Sequence, residues 1–136
     1  MQFAIKEYSI YNIGEILKLY DSVGWSNYTS NPSMLINAYK HSLKILGAYD
    51  AEKLVGIIRV VGDGYSIVYI QDIIVLPEYQ RKGIGTLLLE KILLEYKNVY
   101  QKVLMTDNTE KTTQFYKSIG FIMDTDIDCR AFLKIY

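Results

Sequence analysis

The sequence predicts a mixed α/β fold in which one sheet has helices on both faces, and three observations support this. Apolar, β-branched runs of strand length alternate along the chain with segments of helical periodicity. The run Ser66–Leu76 is apolar on both alternating faces, which predicts a central strand covered on both sides. No linker, repeat or low-complexity tract interrupts the 136 residues, so we expect one domain over residues 1–136.

Strands are expected wherever short apolar runs lie between turn residues. The turn residues are clearest at Asp50–Glu52 and at Gly62–Gly64, each of which separates two consecutive runs. The expected strands, in chain order, are residues 3–8, 44–50, 53–61, 66–76, 102–106, 121–123 and 129–135.

Helices are expected where capping residues precede helical periodicity. Asn12 and Glu15 have capping-box spacing, and Asn31, followed by Pro32, can cap a second helix. The longest helix begins near Gly83 and groups its polar side chains, which leaves a wide apolar stripe to be buried. The stretch "VGWSNYTSNP" is expected to be a loop. The four expected helices span residues 12–22, 31–42, 83–97 and 110–119.

The charge balance argues against a nucleic-acid-binding protein. Fifteen basic and fifteen acidic residues give a formal net charge of zero, whereas proteins that bind phosphate backbones usually carry a basic excess. A single cysteine, Cys129, excludes an internal disulfide and indicates the cytoplasm. No apolar run approaches the ~18 residues of a membrane span, and no cluster of His, Cys and Asp has metal-ligand spacing.

The stretch "PEYQRKGIGTLLLEKIL" places two glycines at the start of the longest expected helix. A helix start has unpaired N–H groups and partial positive charge, and glycines before it let those groups converge on one anion. Gln80, Arg81 and Lys82 would add side-chain donors and positive charge. No lysine–serine pair follows the glycines, and Leu88 stands where a dinucleotide motif needs its third glycine. The pattern predicts a pyrophosphate cradle, although a plain strand-to-helix turn is the simpler explanation of an isolated G-x-G.

The stretch Q-R-K-G-I-G resembles the Q/R-x-x-G-x-G/A signature of the GNAT superfamily of N-acetyltransferases. The approach "DIIVLP" and the later stretch "FYKSIGF" resemble two further family elements at matching distances, and the element order matches over nearly the whole chain. The resemblance implies one GNAT domain with a central, mostly antiparallel sheet and acetyl-coenzyme A as cofactor. It also implies that the cofactor's pyrophosphate lies on Gln80, Arg81, Lys82, Gly83, Ile84, Gly85 and Thr86.

The resemblance further implies which residues handle the thioester. The pantetheine arm is expected beside the end of the central strand, at Ile73, Ile74 and Val75, with the Val75 N–H on the thioester carbonyl. Tyr116 corresponds to the family tyrosine near the cofactor sulfur, and it is the expected acid for the leaving thiolate. By spacing alone, Tyr116 lies on the core-facing stripe of Thr112–Ile119, so packing is the alternative role.

The sequence leaves open which base takes the proton of the amine. Tyr69, Gln71 and Val103 occupy the aligned positions at which some family members carry a glutamate. Asp72 is the only carboxylate of the central strand, and strand alternation puts it on the face opposite Tyr69 and Gln71. Asp72 is therefore either a catalytic residue or a structural hydrogen-bond acceptor, and a water chain that carries the proton out is the alternative to a dedicated base.

Two polar residues precede the last expected helix. Many family members carry Asn seven residues before the tyrosine, in contact with the pantetheine arm; here that position is Thr109, with Asn108 beside it. Either side chain can cap the helix and reach the cofactor, or serve as a cap alone.

Aromatic residues concentrate near the loop between the first two helices, where the family builds its acceptor site. Trp25 and Tyr28 lie in the loop, and Tyr20 and Tyr39 lie on the helices beside it. An aromatic wall suits a flat or protonated amine through stacking and cation–π contact. The same residues can instead pack in the core or at a homodimer interface. The expected acceptor-site residues are Trp25, Tyr28, Tyr69 and Gln71.

These observations together predict an acetyl-coenzyme A-dependent N-acetyltransferase whose acceptor is a small primary amine, with an aromatic amine as the first candidate. One alternative is an enzyme that acetylates a protein, a peptide or a charged tRNA, and the neutral net charge counts against the tRNA version. The other alternative is a coenzyme A-binding regulatory module without turnover, which the missing base keeps open.

Overall fold

The computed structural model describes residues 2–135, and the chain divides into two compact units, Met1–Leu104 and Met105–Tyr136. No helix within the described residues is long and apolar enough to cross a membrane. The strands are β1 (Ala4–Glu7), β2 (Lys44–Asp50), β3 (Lys53–Gly62), β4 (Ile67–Val75) and β5 (Gln101–Leu104). The helices are α1 (Ile13–Ser22), α2 (Ser26–Thr29), α3 (Pro32–Lys40), α4 (Ile84–Glu95) and α5 (Glu110–Ser118).

The first unit contains a five-stranded sheet in the order β1-β2-β3-β4-β5. The first four strands pair antiparallel with their neighbours, and short turns join β2 to β3 and β3 to β4. α4 connects β4 to β5, and this crossover makes the last pair parallel. The expectation of a mixed, mostly antiparallel sheet is confirmed.

β3 shows that helices cover both faces of this sheet. A Cβ built on Gly56 would lie 3.3 Å from Ile84 and 3.5 Å from Leu88, so α4 packs on the face of Gly56. Arg59 lies an odd number of residues further along the strand and therefore points to the other face. There its guanidinium lies over the ring of Tyr39 of α3, 5.6 Å from the ring centroid.

The capping residues predicted from the sequence begin the helices as expected. The side chain of Asn12 accepts from the Glu15 N–H, and that of Asn31 accepts from the Met34 N–H. The short helix α2 was not expected, because its segment has the composition of a loop. The rings of Trp25 and Tyr28 pack against Tyr20 at centroid distances of 5.9 and 5.1 Å, and this aromatic contact is consistent with a single helical turn.

The expectation that the central strand is covered on both faces holds for β4, in which a β-bulge at Gln71 changes the side to which successive residues point. Its even-numbered residues from Val68 to Ile74 are buried, whereas Tyr69 and Ile73 are half-buried and Gln71 is exposed. Asp72 pairs with Arg59 and Ile70 pairs with Val60, and these two β3 residues point to opposite faces, so the buried residues of β4 lie on both of its faces.

The two strands expected near the C-terminus are absent from the described part of the second unit. Residues 121–123 are irregular, and a 3₁₀ turn, Asp124–Ile127, follows them. Carboxylates of Asp124 and Asp126 accept from the N–H groups of nearby residues, and such local bonds compete with a sheet ladder. Residues 129–135 are exposed and not in a strand, because β-propensity yields a strand only where a partner strand supplies hydrogen bonds.

Candidate functional site

The start of α4 has no side-chain cap, unlike the starts of α1, α3 and α5. Its N-cap residue is Gly83, and the first N–H to bond back is that of Leu87, which donates to the Gly83 carbonyl at 3.0 Å. The N–H groups of Ile84, Gly85 and Thr86 consequently have no acceptor within residues 2–135. Three free donors at the positive end of a helix dipole form a site suited to an anion.

The two glycines of this turn are there for different reasons. Gly83 has a φ of +81°, a left-handed conformation that other residues adopt only with strain. Gly85 has no such φ, and a Cβ built on it would meet nothing within 4 Å. Neither backbone conformation nor packing therefore explains glycine at position 85, whereas close approach of a ligand to the helix start does. This fit supports a phosphate group at the sequence-predicted cradle.

The residues before the helix extend this cradle with positive charge. Arg81 has a φ of +63°, so the chain reverses sharply between two left-handed residues, Arg81 and Gly83. Turns of this kind direct successive N–H groups into one concavity. The side chains of Arg81 and Lys82 are exposed, while the Gln80 side chain donates to the Val75 carbonyl at 3.1 Å.

β4 has an open edge next to this cradle. β5 pairs with it only over Ile67–Ile70, and no other described strand flanks β4 on that side as far as Val75. Leu76 donates to Val55 of β3 at 2.9 Å, so alternation directs the N–H and C=O groups of Ile73 and Val75 to the open edge. Ile74 has the opposite direction, and its backbone belongs to the β3 ladder while its side chain is buried. Of the three residues expected at the pantetheine arm, Ile73 and Val75 offer backbone groups at this edge.

Asp72 lies in a buried polar network on the same face of β4 as Tyr69, because the bulge at Gln71 breaks the alternation expected from the sequence. Its Oδ2 accepts from Arg59 Nε at 2.7 Å and from the Tyr20 hydroxyl at 2.6 Å. Tyr39 lies 3.0 Å from Tyr20, hydroxyl to hydroxyl, and Arg59 Nη1 donates to Ser42 at 3.2 Å. Burial raises the pKa of Tyr20, and the charge of Asp72 raises it further, so this phenol stays protonated. Asp72 is 2% exposed, and its direct contacts are with protein groups.

Arg59 was not expected as the partner of Asp72. Burial lowers the pKa of Arg59, but the charges of Asp72 and Tyr20 and the hydrogen bonds to them together outweigh it, and the net change in pKa is upward. The signal was present in the stretch "KLVGIIRVV", because a charged residue inside a buried strand needs an opposite charge nearby. The turn that follows β3 makes β4 its neighbour, and Asp72 is the carboxylate of β4.

The expected aromatic wall is divided between the core and the surface. Tyr20 and Tyr39 are fully buried, so they are core residues. Trp25 and Tyr28 are half-buried, with ring centroids 6.2 Å apart. The exposed Gln71 donates to the Tyr28 hydroxyl at 3.3 Å, and burial raises the pKa of Tyr28. The structure thus brings Trp25, Tyr28 and Gln71 into one surface cluster of the first unit.

The second unit contains Tyr116 and the residues before α5. Thr109 is the N-cap of α5, and its side chain accepts from the Thr112 N–H at 3.2 Å, so Thr109 and not Asn108 caps this helix. The Tyr116 ring is half-buried and makes T-shaped contacts with Phe115 and Phe121, at 5.0 and 5.9 Å. Burial raises the pKa of Tyr116, and the side chain of Thr106 partly opposes this.

Residues 41–123 match the family model described as "Acetyltransferase (GNAT) domain". The uncharacterized N-acetyltransferase ycf52 of Gracilaria tenuistipitata var. liui is 28% identical over 87% of this chain. The chain spans 66% of the length of that relative. The ycf52 protein of Porphyra purpurea is 27% identical over 85% of the chain and 67% of its own length.

Solved structures give closer matches. A GNAT-family acetyltransferase of Streptococcus pneumoniae TIGR4 is 44% identical and has a TM-score of 0.90, over 99% of this chain and 98% of its own. A probable acetyltransferase of meticillin-resistant Staphylococcus aureus is 27% identical, with a TM-score of 0.83 over 99% and 100%. PaiA N-acetyltransferase of Thermoplasma acidophilum, solved with coenzyme A, is 19% identical and shares the fold at a TM-score of 0.68 over 90% and 91%.

Proposed function

Because the chain belongs to the GNAT family of acetyltransferases, we propose that it transfers an acetyl group from acetyl-coenzyme A to a small primary amine. The observation that carries the proposal is the uncapped start of α4, whose free N–H groups of Ile84–Thr86 lie beside a glycine that folding does not require. With a single cysteine in the sequence and acetyl-coenzyme A as donor, we also propose the cytoplasm as its location.

In the proposed reaction the cradle holds the phosphates and the β4 edge aligns the reacting end. The donor supplies an acetyl thioester, which is activated toward attack by a neutral amine. Backbone N–H groups of Arg81–Thr86 would hold the diphosphate by hydrogen bonding, and the side chains of Arg81 and Lys82 would offset its negative charge. The Val75 N–H, on the open edge, is the group we assign to the thioester carbonyl oxygen, where negative charge develops during attack.

Tyr116 is the residue we assign to protonation of the leaving thiolate. The phenol is protonated at neutral pH, as an acid must be, and burial, which raises its pKa, makes it a weaker acid than a solvated tyrosine. Its correspondence with the family tyrosine supports the assignment. Asn108 and the helix cap Thr109 precede its helix, and we propose that they contact the pantetheine arm.

Asp72 enters the proposal as a positioning residue that acts through Tyr20. Its carboxylate accepts hydrogen bonds from Arg59 and from the Tyr20 hydroxyl, and it thereby holds α1 against β4. The surface cluster of Trp25, Tyr28 and Gln71 lies next to this contact. We propose this cluster, with Tyr69, as the acceptor site. With Asp72 in this role, the proton of the amine leaves through water.

Calorimetric titration with acetyl-coenzyme A tests the proposed donor, and an assay of thiol release tests transfer. Aromatic amines, polyamines, aminoglycosides and peptides are offered as acceptors, and we expect release with at least one small amine. Absence of binding heat would refute the function. Binding without release for any acceptor would favour a regulatory module, and release with peptides alone would favour a protein-acetylating enzyme.

A further inference from the structure

The link between β4 and α4 is a tight turn that the side chain of Gln80 closes. The Tyr79 N–H donates to the Leu76 carbonyl at 2.8 Å, and the Gln80 N–H donates to the Pro77 carbonyl at 3.3 Å. The Gln80 side chain then returns to the strand and donates from Nε2 to the Val75 carbonyl at 3.1 Å. The last residue of β4 is thereby tied to the residue that precedes the cradle.

Burial does not explain this hydrogen bond. Gln80 is exposed, so water could satisfy both its amide and the Val75 carbonyl, and an exposed glutamine gains little from a fixed rotamer. The bond forms at the point where β4 loses its partner on one side, since β5 ends opposite Ile70. The terminal residues of β4 are held by β3 on one edge and by Gln80 on the other.

The position of this bond links the two parts of the proposed donor site. Val75 provides the N–H that we assign to the thioester carbonyl, and Arg81, directly after Gln80, begins the cradle in a left-handed conformation. A shift of Val75 relative to Arg81 would misplace one end of the donor while the other end stays bound. Such a misplacement slows the reaction at the thioester more than it weakens the affinity for the whole donor.

We propose that Gln80 is a positioning residue, whose amide holds the Val75 carbonyl and so fixes the end of β4 relative to the phosphate cradle. The inference rests on the proposed function. In this role the Gln80 side chain bonds to the last residue of β4, whereas from the sequence it was expected to contact a phosphate. The signature Q/R-x-x-G-x-G/A is consistent with this role, because Arg and Gln share a long side chain that ends in N–H donors.

Two substitutions in the full chain test the proposal. Gln80→Leu keeps the side-chain bulk and removes the donor, and Gln80→Arg restores a donor of similar reach. In the cofactor-free protein, amide exchange at Leu76 reports on the strand end, because this N–H donates to Val55. We expect exchange at Leu76 to accelerate by about fivefold to tenfold in Gln80→Leu, the factor that one net hydrogen bond is worth, and to recover in Gln80→Arg.

Ligand measurements separate positioning from phosphate contact. For Gln80→Leu we expect kcat to fall by about tenfold, with unchanged affinity for the nucleotide fragment of coenzyme A that lacks the pantetheine arm. Gln80→Arg should recover most of kcat. An equal loss of affinity for this fragment and for acetyl-coenzyme A would overturn the inference, as would unchanged Leu76 exchange and kcat. If the unsubstituted chain binds no acetyl-coenzyme A, the proposed function fails and the inference fails with it. If it binds acetyl-coenzyme A normally and the variants leave Leu76 exchange and kcat unchanged, only the inference fails.

Discussion

Arg59 and Asp72 form an ion pair across β3 and β4, with Arg59 Nε 2.7 Å from Asp72 Oδ2 and side chains that are 5% and 1% exposed. Removing one partner of such a pair leaves an uncompensated buried charge, whereas replacing both with apolar residues removes the cost of desolvation. The pair therefore holds the sheet to α1 and α3 through Tyr20 and Tyr39.

Loss of either charge alone should destabilise the protein strongly. We expect Arg59→Met to lower the free energy of unfolding by about 3–5 kcal/mol, because Asp72 stays buried without its partner. The double variant Arg59→Met/Asp72→Leu should recover most of this loss. Urea unfolding of the two variants and of Asp72→Leu completes a double-mutant cycle.

The same double variant tests the role of Asp72 in the reaction. If Asp72 acts only as a positioning residue, a stable double variant should retain measurable thiol release. A folded double variant without any turnover, while acetyl-coenzyme A still binds, would identify Asp72 as a catalytic group.

Stability should fall in alkaline solution because of the buried tyrosines. Burial raises the pKa of Tyr20 above its unfolded value of ~10, and neighbouring Tyr39 and Asp72 raise it further. The folded state then keeps a proton that the unfolded state releases. The stabilisation is complete below about pH 10 and decreases as the pH rises above it, by ~1.4 kcal/mol per pH unit for each such proton.

Urea unfolding between about pH 8 and about pH 11 measures this slope. Tyr20→Phe should reduce it by about one proton, since phenylalanine cannot ionise in either state. Tyr65→Phe removes an exposed phenol and is the control for the substitution itself. Identical slopes for Tyr20→Phe and the unsubstituted chain would contradict the assignment.

Substitution of Gly85 should separate cofactor binding from folding. We expect Gly85→Leu to keep or raise stability by up to about 1 kcal/mol, because leucine is a better helix former and its Cβ meets open space. It should weaken acetyl-coenzyme A binding at least about tenfold in calorimetry, since the side chain occupies the space beside the free N–H groups. Glu90→Leu, on the exposed side of α4, adds the same residue elsewhere and should leave binding unchanged.

Gly85→Ala completes this series. Since the signature Q/R-x-x-G-x-G/A accepts Ala at this position, Gly85→Ala should bind acetyl-coenzyme A nearly as well as the unsubstituted chain. Full binding by Gly85→Leu would show that no ligand approaches the start of α4.

Tyr116→Phe should lower turnover strongly without loss of cofactor affinity. Phenylalanine keeps the ring contacts with Phe115 and Phe121 but cannot donate a proton. Thiol release should fall by about a hundredfold or more, with the dissociation constant of acetyl-coenzyme A unchanged. Tyr96→Phe is the matched control, because Tyr96 is also half-buried and burial raises its pKa to about 12. Normal turnover of Tyr116→Phe would show that Tyr116 serves packing alone.

Truncation of Tyr28 tests the proposed acceptor site. Tyr28→Ala removes the ring that packs on Trp25 and the hydroxyl that Gln71 contacts. The KM for the best small amine should rise by about tenfold, while affinity for acetyl-coenzyme A stays the same. Tyr65→Ala provides the exposed control. An unchanged KM would place the acceptor elsewhere.

The elements of the first unit follow largely from local signals in the sequence. Asn12 and Asn31 cap their helices as predicted, since a capping bond spans only three residues. The turns at Asp50–Glu52 and Gly62–Gly64 join antiparallel neighbours for the same reason. The C-terminal strands were predicted wrongly, because strand propensity cannot say whether a partner edge is present.

The sequence by itself determined the order of the strands and of the three longer helices of the first unit and the glycine-rich turn before α4, because capping, periodicity and turn chemistry act over a few neighbouring residues. Only the tertiary structure decided that Asp72 pairs with Arg59, that Tyr20 and Tyr39 are core residues, and that Gln80 returns to Val75. These relations depend on which strands become neighbours and where β5 ends, and local patterns do not specify such long-range packing; the charge of Arg59 inside an apolar run signals only that an opposite charge lies nearby.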